Sequence, residues 1–211
     1  MISASGGLYR LCWCASGFDC DAEESFKVDL GSLSLIGPTL GQTRTCVTGQ
    51  TCYEDGIRGH LLTGNDAVMV LETCGTRSSV EGFPSAGLVQ AAGASGSAFN
   101  WGSVVLSAMG GRYRLCWCSS SFVCSIEEDY GLDFGELRVL GRSEVTQATC
   151  VSGQTCRITG ILAEYSSSSD MFMVLETCGN ADSSGVVPGF PSAGFGITAE
   201  SSGAGVSWGA L

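Results

Sequence analysis

The chain has 211 residues, including 31 glycines and 12 cysteines, and its 44% of hydrophobic residues is enough for a folded core, which excludes a disordered tail. Ten basic against 21 acidic residues give a net charge of −11, so no nucleic-acid partner is expected, because such binding depends on clustered Lys and Arg. The longest apolar runs, residues 67–71 and 171–175, are too short for membrane insertion, which takes about 20 residues.

Short β-strands are the predicted elements of the first half of the chain. Their segments combine Val, Leu, Thr and aromatic residues and are separated by Gly, Ser, Asp or Pro. In chain order they are residues 9–14, 26–35, 43–47, 51–57, 67–73, 87–91 and 98–106. No 12-residue segment has the apolar periodicity of a capped helix. About seven strands in a module of about 100 residues predict an Ig-like antiparallel β-sandwich.

The second half of the chain repeats the first. Two sets of six cysteines are related by an offset of 104 residues, and about half of residues 2–75 are identical to their counterparts in 106–179. The first set is Cys12, Cys14, Cys20, Cys46, Cys52 and Cys74, and the second is Cys116, Cys118, Cys124, Cys150, Cys156 and Cys178. We therefore predict an all-β chain of two tandem disulfide-stapled Ig-like antiparallel β-sandwich modules, residues 1–103 and 104–211.

The alignment of the two copies also bears on the ends of the chain. Residues 207–211 align with 100–104, at an offset of 107 after a three-residue insertion, and Met1 aligns with Val105. The sequence stops where another copy would begin, so we expect a portion of a longer array. The alternative is a complete two-copy protein. Almost no spacer separates the copies, which predicts stiff coupling between them.

Six cysteines in a module of this size are typical of a disulfide framework in an oxidising compartment or of a metal cluster in a reducing one. The sequence has no C-x2-C pair, and its single histidine, His60, is replaced by Glu164 in the second copy. Disulfides are therefore favoured, and we expect neither a metal nor another cofactor. The same argument predicts an extracellular or cell-surface location.

The cysteine spacing suggests a connectivity among the 15 that six cysteines allow. Cysteines that bracket a short turn are expected to pair, which gives 14–20, 46–52, 118–124 and 150–156. The remaining pairs would be Cys12–Cys74 and Cys116–Cys178, and each long closure would be worth about 4 kcal/mol. In the strand that contains Cys12, the alternation of side chains predicts that Trp13 fills the core.

No catalytic constellation is found in the sequence. His60 has no histidine counterpart in the second copy, so it cannot anchor a Ser-His-Asp or Cys-His system common to both copies. Neither a G-x-S-x-G elbow nor a Walker A motif occurs. The remaining polar groups have structural interpretations: acidic loops at 23–24 and 127–128, turn caps at Asp66 and Asp170, and ion pairs of Arg10 and Arg114 with Glu72 and Glu176. An enzyme is not expected.

Three sequence blocks occur in both copies: Gly-Gly-x-Tyr-Arg-Leu-Cys-Trp-Cys, Cys-Val-x-Gly-Gln-Thr-Cys and Val-Leu-Glu-Thr-Cys-Gly. Together they resemble the cysteine-rich tandem repeats found in large secreted or cell-surface proteins of alveolate protists, dinoflagellates in particular. The resemblance covers nearly the whole chain. It implies an extracellular, multi-copy context and brings no activity or site residues with it.

These observations favour a structural extracellular protein, in which β modules stack head to tail in a fibre, flagellar hair or surface coat. Its expected partners are further copies of itself or of the same array, because an unpaired strand edge accepts another strand. The alternative is an adhesion or glycan-binding ectodomain of a surface protein, whose loops would hold the glycan.

Overall fold

The computed structural model describes residues 2–92, 95–144, 147–179, 185–198 and 203–209. These residues form an all-β structure of short strands and 3-10 turns, and none of them lies in an α-helix. Within these ranges, no helix has the length and apolar character needed to cross a bilayer.

The chain divides into two compact units. The first comprises the residues up to Ala108 together with Arg112–Arg138, and the second comprises Met109–Gly111 together with Val139–Leu211. These bounds do not follow the repeat boundary in the sequence. The modules 1–103 and 104–211 therefore stay a prediction.

The first unit contains one long hairpin and many short strands. The short ones are β1 (Gly7–Trp13), β2 (Val28–Leu35), β3 (Gly37–Pro38), β4 (Gln42–Val47), β5 (Tyr53–Glu54), β6 (Gly59–His60), β7 (Ala67–Leu71), β8 (Leu88–Ala92) and β9 (Ala98–Asn100). The long hairpin consists of β10 (Gly111–Cys118) and β11 (Leu132–Arg142), of which Gly111 and residues 139–142 belong to the second unit.

The sheet of the first unit has the order β11-β10-β7-β8-β9-β5, and β4 also pairs with β11. The pairings of β7 with both β10 and β8 are antiparallel. Every residue of β7 is buried, as expected for a continuous apolar run at the centre of a sheet. The hairpin of β1 and β2 forms a separate two-stranded sheet with a bulge between Leu11 and Cys12.

The β7–β10 pair carries the central core cluster of the first unit. This cluster consists of Ala67, Met69, Leu71, Cys116, Cys118 and Tyr130, with Cys74 and Cys124 packed against it. Farther along the chain, the Phe83 ring makes edge contacts with the rings of Trp101 and Tyr113, each at 6.1 Å between centroids. The core therefore combines residues from both sequence copies.

The second unit has a smaller three-stranded antiparallel sheet. The sheet consists of β12 (Cys156–Thr159), β14 (Ile197–Thr198) and β15 (Gly205–Trp208), and a separate short strand is β13 (Ala163–Glu164). The sheet order is β12-β15-β14, and β13 pairs with residues 141–142. Cys156, Val206 and Trp208 form its buried cluster. Residues 171–175 are the counterpart of β7 but make only isolated bridges, from Met173 to Phe195 and from Leu175 to Val186.

Corresponding positions of the two copies share local structure. The Trp101 indole donates a hydrogen bond to the Gly87 carbonyl at 2.9 Å, and the Trp208 indole donates one to the Gly194 carbonyl at 2.7 Å. Both glycines end a Pro-Ser-Ala-Gly turn, in which the Ser and Ala have φ between 51° and 54°. Non-glycine residues adopt this left-handed conformation only where the surrounding structure enforces it, and the same enforcement operates twice in this chain.

Candidate functional site

Ten of the twelve cysteines form five disulfides. Five disulfides suggest an oxidising, extracellular-type environment. Four of them close the short loops, as the spacing suggested: Cys14–Cys20, Cys46–Cys52, Cys118–Cys124 and Cys150–Cys156.

The long disulfide differs from the sequence expectation. Cys74 is bonded to Cys116, at a Cα–Cα distance of 5.4 Å, and Cys12 and Cys178 remain as exposed free thiols. The expected pairs Cys12–Cys74 and Cys116–Cys178 are not formed. The physical reason is strand order: β7 lies beside β10, not beside β1, so the chain leaving β7 brings Cys74 to Cys116.

The β7–β10 pair therefore joins one sequence copy to the next. Its antiparallel register places Cys116 opposite Met69 and Trp117 opposite Val68. Leu115 is opposite Val70 and is 2% exposed. Fully burying one leucine side chain contributes about 1.5–3 kcal/mol, so this pairing is a substantial contact as well as a covalent one.

Asp66 connects the segment before β7 to the segment after β10 through hydrogen bonds. Its buried carboxylate accepts hydrogen bonds from the Thr63 backbone N–H at 2.8 Å and from the Ser120 backbone N–H at 3.0 Å. Asp170, its counterpart, is exposed and accepts one from the Ser167 backbone N–H at 3.0 Å. Both aspartates thus cap turns as predicted, and the contact of Asp66 with Ser120 across the joint is the part that the sequence did not indicate.

Tyr130 closes the other side of the joint. The Gly75 N–H, one residue after Cys74, donates to the Tyr130 carbonyl at 3.0 Å. The Tyr130 hydroxyl donates to the Cys124 carbonyl at 3.2 Å. Burial raises the pKa of Tyr130, with the Asp129 charge as a smaller cause. The phenol is therefore kept in its neutral, hydrogen-bond-donating form.

The hairpin of the first copy lacks these contacts. Leu11, the counterpart of Leu115, is 51% exposed, and Trp13 is 47% exposed whereas its counterpart Trp117 is 9% exposed. The prediction that Trp13 fills the core is therefore wrong, although the same prediction would hold for Trp117. Among the described residues, β2 is the only strand that β1 pairs with.

Residues 171–175, in the second unit, are less buried than their counterpart β7, since Met171 is exposed and the other four are half-buried. Met171 is 84% exposed, whereas its counterpart Ala67 is 6% exposed. A groove of about 410 Å³ lies beside this segment and is lined partly by Ala148, Ile158, Phe172, Met173, Cys178 and Val206. The free Cys178 thiol therefore lies at an apolar groove.

The ion pairs of the hairpins also differ from the expectation. Arg10 pairs with Asp29 and Arg114 pairs with Asp133, the latter through two hydrogen bonds of 2.8 Å. The expected pairs with Glu72 and Glu176 are not formed, because antiparallel strand pairing brings each arginine beside its own hairpin's second strand. The hydrogen bond from Arg10 lowers the pKa of Asp29. Each ion pair connects the two strands of one hairpin and so helps to fix their register. The charges of these arginines are therefore paired within the hairpins.

One group of side chains has the composition of a metal site. The Cys46 and Cys52 sulfurs and a Glu54 carboxylate oxygen lie within 4.8 Å of one another. The two sulfurs are bonded to each other and therefore offer no thiolates, which are the form that binds metal. Burial raises the pKa of Glu54. The positive charge of Arg44, whose Nε atom lies 3.8 Å from Glu54 Oε2, lowers this pKa and so offsets part of the increase.

Among the other predicted polar residues, Glu128 of the second copy forms an ion pair with Arg77 of the first copy. The His60 Nε2 atom hydrogen-bonds with the Ser34 hydroxyl at 2.9 Å. Glu23 and Glu24 begin a 3-10 turn and are exposed, whereas Glu127 and Glu128 begin the corresponding turn of the second copy and are half-buried.

Comparison with known proteins adds no assignment, since no family model, curated protein or solved structure matches the chain. The fold and the joint define an all-β, disulfide-rich protein in which the core of the first unit contains residues of both sequence copies.

Proposed function

We propose that this chain is a structural, secreted protein that forms a fibre, flagellar hair or surface coat by head-to-tail stacking of disulfide-bonded β modules. The observation that carries the proposal is the joint between copies: β7 pairs with β10, and Cys74 is bonded to Cys116. A chain whose copies interlock in this way suits a load-bearing series better than a set of independent binding domains.

The proposal includes the module type and the biological setting. Each module would be an antiparallel sandwich of the Ig-like kind, a class that tandem extracellular proteins use widely. The setting would be that of the alveolate surface proteins which the cysteine blocks resemble. The five disulfides support an extracellular setting.

Electron microscopy of the native protein, isolated without reductant, tests this function. We expect filaments or sheets with a regular axial period. Treatment with reductant should shorten or disperse them, because the proposed series depends on disulfides. Dispersed single molecules under both conditions would overturn the proposal, and selective saturable binding in a glycan array would then favour the adhesion alternative.

A further inference from the structure

We propose that the groove of the second unit accepts the β1–β2 hairpin of a second copy of this chain, and that Cys178 becomes disulfide-bonded to Cys12 of that copy. This inference rests on the head-to-tail assembly proposed above and names its contact surfaces. It assigns a partner to the two free cysteines, which are otherwise unexplained in a disulfide-rich chain.

The template for this contact lies within the first unit. There the β10–β11 hairpin of the second sequence copy is paired on β10 by β7 and on β11 by β4. Both β4 and β7 belong to the first copy. The hairpin of the second copy therefore lies between two strands of the first copy, β4 and β7. The Cys74–Cys116 disulfide links the two copies covalently at this contact.

The hairpin to be accepted is already formed. β1 and β2 form an antiparallel pair, and the ion pair Arg10–Asp29 repeats the ion pair Arg114–Asp133 of the second copy. Its apolar side chains are exposed where their counterparts are buried: Leu33 is 51% exposed and Leu137 is 0% exposed. Exposed apolar area of this kind marks an interaction surface.

The groove that would accept this hairpin is bordered by two segments, residues 171–175 and 147–150. Residues 171–175 correspond to β7, and residues 147–150 correspond to most of β4. Residues 147–150 are exposed and form no strand, whereas β4 is a strand paired with β11. Each flank thus corresponds to a segment that is a paired strand in the first copy.

The backbone of residues 171–175 leaves one edge for a partner strand. The Val174 N–H donates to the Gly194 carbonyl, and the Phe172 carbonyl accepts from the Gly196 N–H. In an extended strand, alternate residues direct their backbone groups to opposite edges, so Met173 directs its groups to the other edge. In the template, Met69 is opposite Cys116 on that edge, which places Met173 opposite Cys12 of the incoming copy.

Formation of the disulfide needs an oxidant, and we specify a small-molecule disulfide such as oxidised glutathione. The Cys178 thiolate attacks this disulfide, and a mixed disulfide forms as one small thiolate leaves. The Cys12 thiolate of the second copy then attacks the Cys178 sulfur, and the second small thiolate leaves. Two protein thiols are oxidised to one disulfide, the small disulfide is reduced to two thiols, and no atoms are left over.

Complementary cysteine variants test the joint. Cys12→Ser retains Cys178, and Cys178→Ser retains Cys12. With oxidised glutathione, the unaltered chain should give a ladder of covalent oligomers on a non-reducing gel. Each variant alone should stay monomeric, and an equal mixture should give dimers and nothing larger. Dimers of either variant alone, or no dimers in the mixture, would overturn the inference.

Trypsin mapping identifies the bond in those dimers. Cleavage after Arg10, Lys27 and Arg157 places Cys12 in the peptide 11–27 and Cys178 in the peptide 158–211. We expect these two peptides to be linked in the mixed dimer. Links through any other cysteine would contradict the proposed joint.

A non-covalent control separates docking from chance oxidation. Leu11→Asp should reduce the dimer yield at least tenfold, because the counterpart Leu115 is buried at the formed joint. Phe18→Asp should leave the yield within twofold, because Phe18 and its counterpart Phe122 are 77% and 76% exposed. Retention of the Cys74–Cys116 peptide link in both variants shows that the chain itself is folded. Equal yields from the two variants would overturn the hairpin docking.

The two proposals can fail separately. If native filaments form and the mixed variants give no dimer, the hairpin joint is wrong and the structural function stands. If the mixed dimer forms and the native protein makes no filaments, the joint stands and the filament function is wrong.

Discussion

Cys74 and Cys116 form a disulfide that joins the last cysteine of one sequence copy to the first cysteine of the next. Strand pairing runs across the same boundary, since Met69 lies opposite Cys116. The compact unit and the sequence repeat therefore have different boundaries. A segment cut at residues 103 and 104 would separate β7 from the strand that covers it.

The joint disulfide should contribute more stability than a short-loop disulfide. Replacing both Cys74 and Cys116 by Ala is expected to lower the free energy of unfolding by about 4 kcal/mol, because the bond closes a loop of 42 residues. The matched change at Cys14 and Cys20, six residues apart, should lower it by about 2 kcal/mol. Urea unfolding of both variants measures the difference, and equal losses would contradict this ranking.

The same substitution in the two copies should have unequal effects. Leu115→Ala is expected to destabilise the chain by about 2–5 kcal/mol, because it leaves a cavity in the joint. Leu11→Ala changes an exposed residue and should cost less than about 0.5 kcal/mol. Urea unfolding of the monomeric chain distinguishes the two, and a large loss for Leu11→Ala would show that β1 is covered within the chain.

Glu54 should make stability fall as pH rises. Its pKa in the folded chain lies above the ordinary value of 4.5 because burial disfavours the charged carboxylate. Between these two pKa values the folded chain binds more protons than the unfolded chain, so stability decreases with pH. Glu54→Gln mimics the protonated form, and it should match the unaltered chain at pH 4 and exceed it in stability at pH 7.

Glu136 provides the control with the opposite sign. The hydrogen bond from Arg138 holds the pKa of Glu136 below its ordinary value, so its stabilising effect is present above that value and is lost as pH falls. Glu136→Gln should therefore be the less stable chain at pH 7, with the difference fading toward acid pH. Urea unfolding at several pH values measures both variants, and a common sign would contradict the assignment.

The Asp66 carboxylate should be important for the joint. Asp66→Asn is expected to cost about 1–3 kcal/mol, because a buried acceptor of two backbone N–H groups loses its charge. Asp170→Asn alters an exposed carboxylate and should cost less. Hydrogen exchange at the Ser120 amide provides a local measurement, since protection there should fall only in the Asp66 variant.

The sequence predicted the repeat, the all-β class and the short-loop cysteine pairs, because these depend on composition and on nearby residues. It could not select the partner of Cys74. Cys12 is 62 residues away and Cys116 is 42 residues away, and loop-closure entropy differs by only about 0.3 kcal/mol between these lengths. The choice depends on which strand lies beside β7.

The two tryptophans of the repeated strand show the same limit. Trp13 and Trp117 share the local sequence Tyr-Arg-Leu-Cys-Trp-Cys, and local alternation gives both the same prediction. One is half exposed and the other is buried, because only the second has a preceding copy in the described chain to cover it. The burial of this tryptophan therefore depends on whether another copy precedes it in the chain. The local sequence, which is the same around both tryptophans, does not provide this information.

The loop closed by Cys74 and Cys116 also determines how the chain would respond to a tensile load. Force entering at one end passes through the two sulfur atoms and bypasses the loop between two cysteines that are 42 positions apart. About 140 Å of extended backbone, at roughly 3.4 Å per residue, is thus withheld from stretching. Reduction of this disulfide would release that length, so the extension that the chain can reach under load would depend on the redox state of its surroundings.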